Sequence, residues 1–215
     1  MTRRERLRPG EPAALPRHSR RCAPASLALL LICTVPPCRT AQAFEIEHSA
    51  ALYHDKHYQF EFVALLDAPL DRVQAVLRDY EHYPQLDPRI LEARVLERPA
   101  DYVAVLETIV RACFGPFCRN VKRVERVEES PLELAAITDA SRSDVRFGET
   151  RTMLSVSDGR TRVSYRTSVE PAFWIPRFVG RRWMLKTLEA ATTNLFKNVE
   201  IKAQAESEGQ KDEGM

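Results

Sequence analysis

The sequence predicts an α+β domain: a curved antiparallel sheet of about six or seven strands wrapped around one long C-terminal helix, with a short helical segment after the first strand. Three observations carry this. From Ile90 to Pro171 the chain reads almost entirely as strand-length segments separated by turn residues. The clearest pair, "FGETRTMLSVSDGRTRVSYRTSVEP", is a hairpin about Asp158-Gly159. After it the pattern changes period, and an apolar stripe at helical spacing runs from about Arg177 to Ala203. Strands with one apolar face need a cover, and a single long helix across the concave side supplies it.

The elements follow in order. The first 43 residues stand apart from the domain. Seven arginines between Arg3 and Arg21 precede the apolar run "APASLALLLICTV", and "PPCRTAQA" ends in the small-x-small triplet Ala41-Gln42-Ala43. This is the order of a secretory signal peptide, with cleavage predicted after Ala43 and Phe44 as the mature N-terminus. The apolar run is shorter than the ~20 residues a membrane span needs. Twin-arginine export from "SRR", lipidation at Cys33 or Cys38, and an uncleaved anchor are the rival readings.

"HYQFEFVALLDAP" reads as the first strand, with Tyr58, Phe60, Phe62 and Ala64 on one face. Asp67 is placed as helix cap and Pro69 in the first helical turn. Leu70, Val73, Val76, Leu77 and Tyr80 follow at helical spacing, and Pro84 and Pro88 in "DYEHYPQLDP" act as breakers. "ILEARVLERP", "DYVAVLETIVRAC", "NVKRVERVEES" and "LELAAITD" are the next strands. The second of them sets Tyr102, Ala104, Leu106, Thr108 and Val110 on one face. Glu107, Arg111 and the "KRVER" run from Lys122 to Arg126 are assigned to water. In the hairpin, Thr152, Leu154 and Val156 share a face of one arm, and Val163, Tyr165, Thr167 and Val169 a face of the other. The helical stripe is Phe178, Leu185, Leu188, Thr192, Leu195 and Val199. The polar tail from Ala205 is expected to be disordered.

Charge and cysteine content narrow the function. The whole chain carries 32 Lys+Arg and 30 Asp+Glu, but residues 1–43 hold eight arginines and two glutamates, which leaves the rest with 24 basic and 28 acidic residues, a net of −4. That balance argues against nucleic acid as a partner. Two of the five cysteines, Cys113 and Cys118 in "CFGPFC", lie beyond Ala43. In an exported chain such a pair points to a disulfide, with free thiols or a metal as alternatives. The histidines there, His48, His54, His57 and His82, are distant in sequence from the thiols. There is no nucleophile motif, no His pair at ligand spacing and no Gly-rich phosphate loop. His82 is the best lone acid-base group, and its turn position reads as surface.

"LDAPLDRVQAVLRDYEHYPQLDPRILEARVLE" and "PAFWIPRFVG…LKTLEAATTNL" give the chain a resemblance to a known family. It resembles the START and birch-pollen-allergen (SRPBCC) superfamily, in particular its polyketide-cyclase and coenzyme-Q-binding branch, over roughly Tyr58 to Ile201. The resemblance implies a helix-grip fold with an apolar cavity between sheet and long helix, and a hydrophobic small molecule or lipid as partner. Tyr80 and Tyr83 would flank the entrance. Leu106, Leu154, Tyr165, Thr167, Leu185 and Leu188 would line the cavity, with Phe173, Trp174 and Phe178 at its mouth or plugging the core. No cofactor, metal or catalytic residue is implied. A peripheral membrane contact through Phe173 and Trp174, beside Arg177, Arg181 and Arg182, is a further expectation. The resulting reading is an exported carrier; an enzyme of cyclase or hydratase type and an interaction module of a cell-envelope complex are the alternatives. The oligomeric state is open.

Overall fold

The computed structural model describes residues 44–114, 117–173 and 181–212. Eight strands form one antiparallel sheet: β1 (Glu45–His54), β2 (His57–Leu66), β3 (Ile90–Ala100), β4 (Val103–Phe114), β5 (Phe117–Ser130), β6 (Glu133–Thr138), β7 (Val145–Ser157) and β8 (Arg160–Pro171). Their order is β1-β2-β8-β7-β6-β5-β4-β3. The helices are α1 (Leu70–Arg78), the short α2 (Tyr83–Leu86) and the long α3 (Arg181–Asp212). A 3₁₀ turn, Tyr80–His82, joins α1 to α2.

The sheet has one strand more than the upper sequence expectation. The missed strand is β1, an edge strand with mostly exposed residues and little apolar alternation. Its turn to β2 is made by Asp55 and Lys56, both at positive φ (46° and 67°). Glycine marks such turns in a sequence, and here there is none. The helical segment therefore follows the second strand, not the first. The hairpin of β7 and β8 turns as expected at Asp158 (φ 50°) and Gly159 (φ 78°).

β2 turns Phe60, Phe62 and Ala64 into the core, each 1 % exposed or less. They meet Val73 and Val76 of α1 and Phe196, Val199 and Ala203 of α3. The Phe62 and Phe196 rings stack at 5.6 Å. Burial of such side chains stabilises by about 1.5–3 kcal/mol each, so this layer anchors helix to sheet.

Four local expectations are corrected. Pro69, not Asp67, is the N-cap of α1; its carbonyl accepts from the N–H groups of Arg72 and Val73 at 3.1 Å. The Asp67 N–H is instead drawn to Glu200 Oε2 of α3 at 3.0 Å. Pro84 lies in the first turn of α2, where a missing N–H costs nothing, so it starts a helical turn and does not only break one. Tyr102 is exposed in the turn before β4, off the buried face assigned to it. The long helix runs on to Asp212, through most of the tail expected to be disordered.

Candidate functional site

Between the concave face of the sheet and the helices lies a cavity of about 190 Å³. Alternation along the strands decides what lines it. β4 contributes Leu106, Thr108 and Val110; β6 contributes Leu134 and Ala136; β7 contributes Thr150 and Thr152. α1, the turn after it and α2 supply Leu77, Tyr80 and Tyr83, and α3 closes the cavity with Leu195 and Phe196. The wall is mainly apolar, with a few hydroxyls and one charged pair.

That pair is Arg123 and Glu125 of β5. Their side chains are 22 % and 10 % exposed, and Arg123 Nη2 lies 2.5 Å from Glu125 Oε1. The Thr138 hydroxyl donates to the same oxygen at 3.4 Å. Arg123 Nε is buried and, among the described residues, has no hydrogen-bond partner. Gly148 makes room for the group: a Cβ there would lie 2.1 Å from Thr138 Oγ1 and 3.4 Å from Arg123 Nη2. The expectation that "KRVER" faces water is thus corrected for Arg123 and Glu125, while Lys122 and Arg126 are exposed as expected. Val121, Arg123, Glu125 and Val127 share one side of β5, and the two valines point that side inward. Val124, on the opposite side, is itself buried beneath the 3₁₀ turn Ala140–Arg142, with its N–H donating to Ser143 Oγ. Apolar residues on both faces hid the register. Glu107 is corrected as well: it faces outward but is 9 % exposed, covered by Arg94 at 2.5 Å.

Tyrosines supply the remaining polar groups. The Tyr83 hydroxyl donates to the Leu77 carbonyl at 2.6 Å, and desolvation holds its phenol well above the ordinary range. Tyr165 sets its ring edge-on to Phe196 at 5.6 Å, and desolvation raises its pKa too. Behind it, the hydroxyls of Thr150 and Thr167 meet at 2.9 Å, and Thr167 also donates to the Glu149 carbonyl. At the rim the Tyr80 hydroxyl donates to Glu129 at 3.0 Å, beside Arg98 and Arg78. Burial, then Glu129, pushes Tyr80 upward. All three phenols are therefore neutral hydrogen-bonding groups at physiological pH.

Of the residues named from sequence, Tyr80, Tyr83, Leu106 and Tyr165 lie on the cavity wall. Leu154 is displaced into the main core, two residues beyond Thr152, where α1 covers the sheet. Thr167 is held by Thr150 at 2.9 Å, and Leu188 packs against the core cluster. Leu185 is half-buried on α3. Phe173 is half-buried beneath the Arg119 guanidinium, 4.3 Å from its ring centre. Trp174 and Phe178 lie outside the described residues. Cys113 and Cys118 are paired across the β4–β5 ladder in a disulfide of S–S 2.06 Å. Among the described residues no group of His, Cys, Asp and Glu is arranged to hold a metal, and no helix is long and apolar enough to cross a membrane.

No family model and no curated protein sequence matches the chain. Solved structures do. A START superfamily protein from Mycobacterium smegmatis superposes with TM-score 0.53 at 18 % identity, covering 68 % of this chain and 97 % of its own. The fold is START-like. A STAR-related lipid transfer protein from Xanthomonas axonopodis matches with TM-score 0.53 at 14 % identity, over 70 % of this chain and 98 % of that one. The Zhui aromatase/cyclase from Streptomyces matches with TM-score 0.52 at 16 % identity, over 68 % and 93 %. In this START-like chain the sheet and α3 are the two walls of the grip, and the cavity lies where they part.

Proposed function

We propose that this START-like protein is an exported carrier that binds one hydrophobic small molecule or lipid moiety in the cavity between sheet and α3. The observation that carries the proposal is an apolar chamber whose single charged pair, Arg123–Glu125, is held at one point of the wall. Affinity in such a site comes from apolar burial at about 25 cal/mol per Å², and the polar point fixes which end of the ligand goes in. A ligand with a hydroxyl, carbonyl or carboxylate at one end suits it. The volume, about 190 Å³, exceeds the ~150 Å³ of a dry cavity that accepts benzene, so the enclosed part has the size of one or two rings. Export is supported by the sequence of residues 1–43 and by the disulfide, which belongs to oxidising compartments.

The test is mass spectrometry of the exported protein purified without detergent, native and denatured, with extraction of any bound compound. A stoichiometric apolar ligand, lost in an Arg123→Met variant that remains folded, is the expected result. A protein that carries nothing and binds no apolar dye overturns the carrier reading. A second reading, an enzyme of cyclase type, draws on the Glu125 carboxylate held at the cavity wall by Arg123 and on the aromatase/cyclase with the same fold. It predicts that the extracted compound is consumed on incubation, and that Glu125→Gln stops this without abolishing binding.

A further inference from the structure

The first residue after the predicted signal cleavage site is held by the last helix. The Phe44 ring lies 6.4 Å from that of Phe62, packs against the main core, and has Lys197 Nζ 5.6 Å from its centre. Glu45 pairs with Leu65 across β1 and β2, which sets the Phe44 backbone beside Leu66 and Asp67, and the Asp67 N–H donates to the Glu200 carboxylate at 3.0 Å; the neighbouring Phe44 N–H favours the ionised form of that carboxylate. Glu200 is 8 % exposed. Among the described residues this carboxylate forms no ion pair of its own. Asp67 adds a second negative charge beside it. The facing cation, Arg160 of β8, is 10 % exposed, is already paired with Glu45 of β1 at 3.2 Å, and has a buried Nε without a partner. While the Phe44 nitrogen is an amide, it brings a donor but no charge.

We propose that Glu200 is the built receptor for the α-ammonium group of Phe44, which hydrolysis of the Ala43–Phe44 bond creates. This inference rests on the export reading above. A signal peptidase adds one water across the bond, leaving a carboxylate on Ala43 and an ammonium on Phe44. The nitrogen keeps its place, because the Phe44 ring is fixed in the core. It now carries a positive charge and additional donors toward Glu200, and such a charge-assisted pair is stronger and shorter than a neutral one. Processing thereby locks β1 to α3, and the mature fold is more stable than the precursor's. Before cleavage, burial pushes the Glu200 carboxyl upward; afterwards the ammonium, together with Arg160, opposes that and favours the ionised form.

The test compares the protein exported with its own leader against one exported with a leader whose removal leaves Ala41-Gln42-Ala43 ahead of Phe44. Intact mass fixes each N-terminus. NMR titration of the α-amine and melting of wild type and Glu200→Gln in both forms follow. The native leader should leave Phe44 first, and its amine should titrate about one unit or more above the ordinary ~7.7–8.0. Glu200→Gln should lower Tm by about 2–4 °C more in the Phe44-first protein than in the extended one. An N-terminus elsewhere overturns the proposal through its export premise. A Phe44 terminus with an ordinary amine pKa, or with equal Glu200→Gln effects in both forms, overturns the receptor role alone.

Discussion

Arg123 and Glu125, two residues apart on one strand, form an ion pair at 2.5 Å on the wall of an otherwise apolar cavity. Removing one member leaves the other charge without a partner in a poorly solvated place. Arg123→Met should therefore cost about 3 kcal/mol, and the double variant Arg123→Met/Glu125→Leu should recover most of the loss. Urea unfolding of both variants checks this. Equal stability of the single and double variants would show that the pair is not coupled.

Gly148 is constrained by its neighbour across the sheet. Gly148→Ala forces Thr138 Oγ1 away from a Cβ that would lie 2.1 Å from it. The expected loss is about 1–3 kcal/mol. Combining it with Thr138→Ala removes the clashing atom and should restore part of the stability, so the two substitutions should be non-additive in a thermal double-mutant cycle.

Lys56 stands at φ 67°, a conformation that costs an L-residue about 1–2 kcal/mol. Lys56→Gly relieves that cost at the price of greater freedom in the unfolded chain. A net gain of about 0.5–1 kcal/mol, read as a rise of ~1–4 °C in Tm, is expected.

Asp79 sits at the end of α1 between His82 Nδ1 (2.6 Å) and Lys202 Nζ (2.9 Å). The hydrogen bond to His82, then those to Lys202, hold its pKa below the ordinary 3.8. A lowered carboxylate pKa contributes stability that is full above the ordinary value and is lost as pH falls through the lower folded value. Asp79→Asn should therefore reduce Tm at neutral pH, and the two melting curves should converge below pH 3.8. A constant offset down to strongly acidic pH would assign the effect to something other than this charge.

How much of this was visible in the sequence depended on whether a residue type marks its own conformation. Asp158-Gly159 announces a tight turn chemically, so the last hairpin was read with its faces intact. Asp55-Lys56 makes the same kind of turn without glycine, and β1, an exposed edge with little alternation, disappeared with it. The stripe Val73, Val76 and Leu77 was legible because α1 buries one face and wets the other. Arg123 and Glu125 turn inward although charge ordinarily marks a wet face. Only the two flanking valines at period two show that this face turns inward. Strand alternation places Leu106 and Tyr165 on the inward face, and the resemblance places Tyr80 and Tyr83 beside it; all four line the cavity. A shared apolar face does not say where along its length the helices lift away from the sheet, so Leu154 lies in the core cluster beyond Thr152.

The sheet order has a consequence for when the chain can fold. β2 pairs with β8, its partner roughly a hundred residues later, which makes this contact one of high sequence separation. A chain emerging N-terminus first, from a ribosome or a translocation pore, can close β1 on β2 early. It cannot give β2 its second neighbour until Pro171 is out, nor cover Phe60 and Phe62 until α3 follows. The domain's first core strand therefore waits for its last two elements, and the polypeptide stays threadable until nearly all of it has emerged.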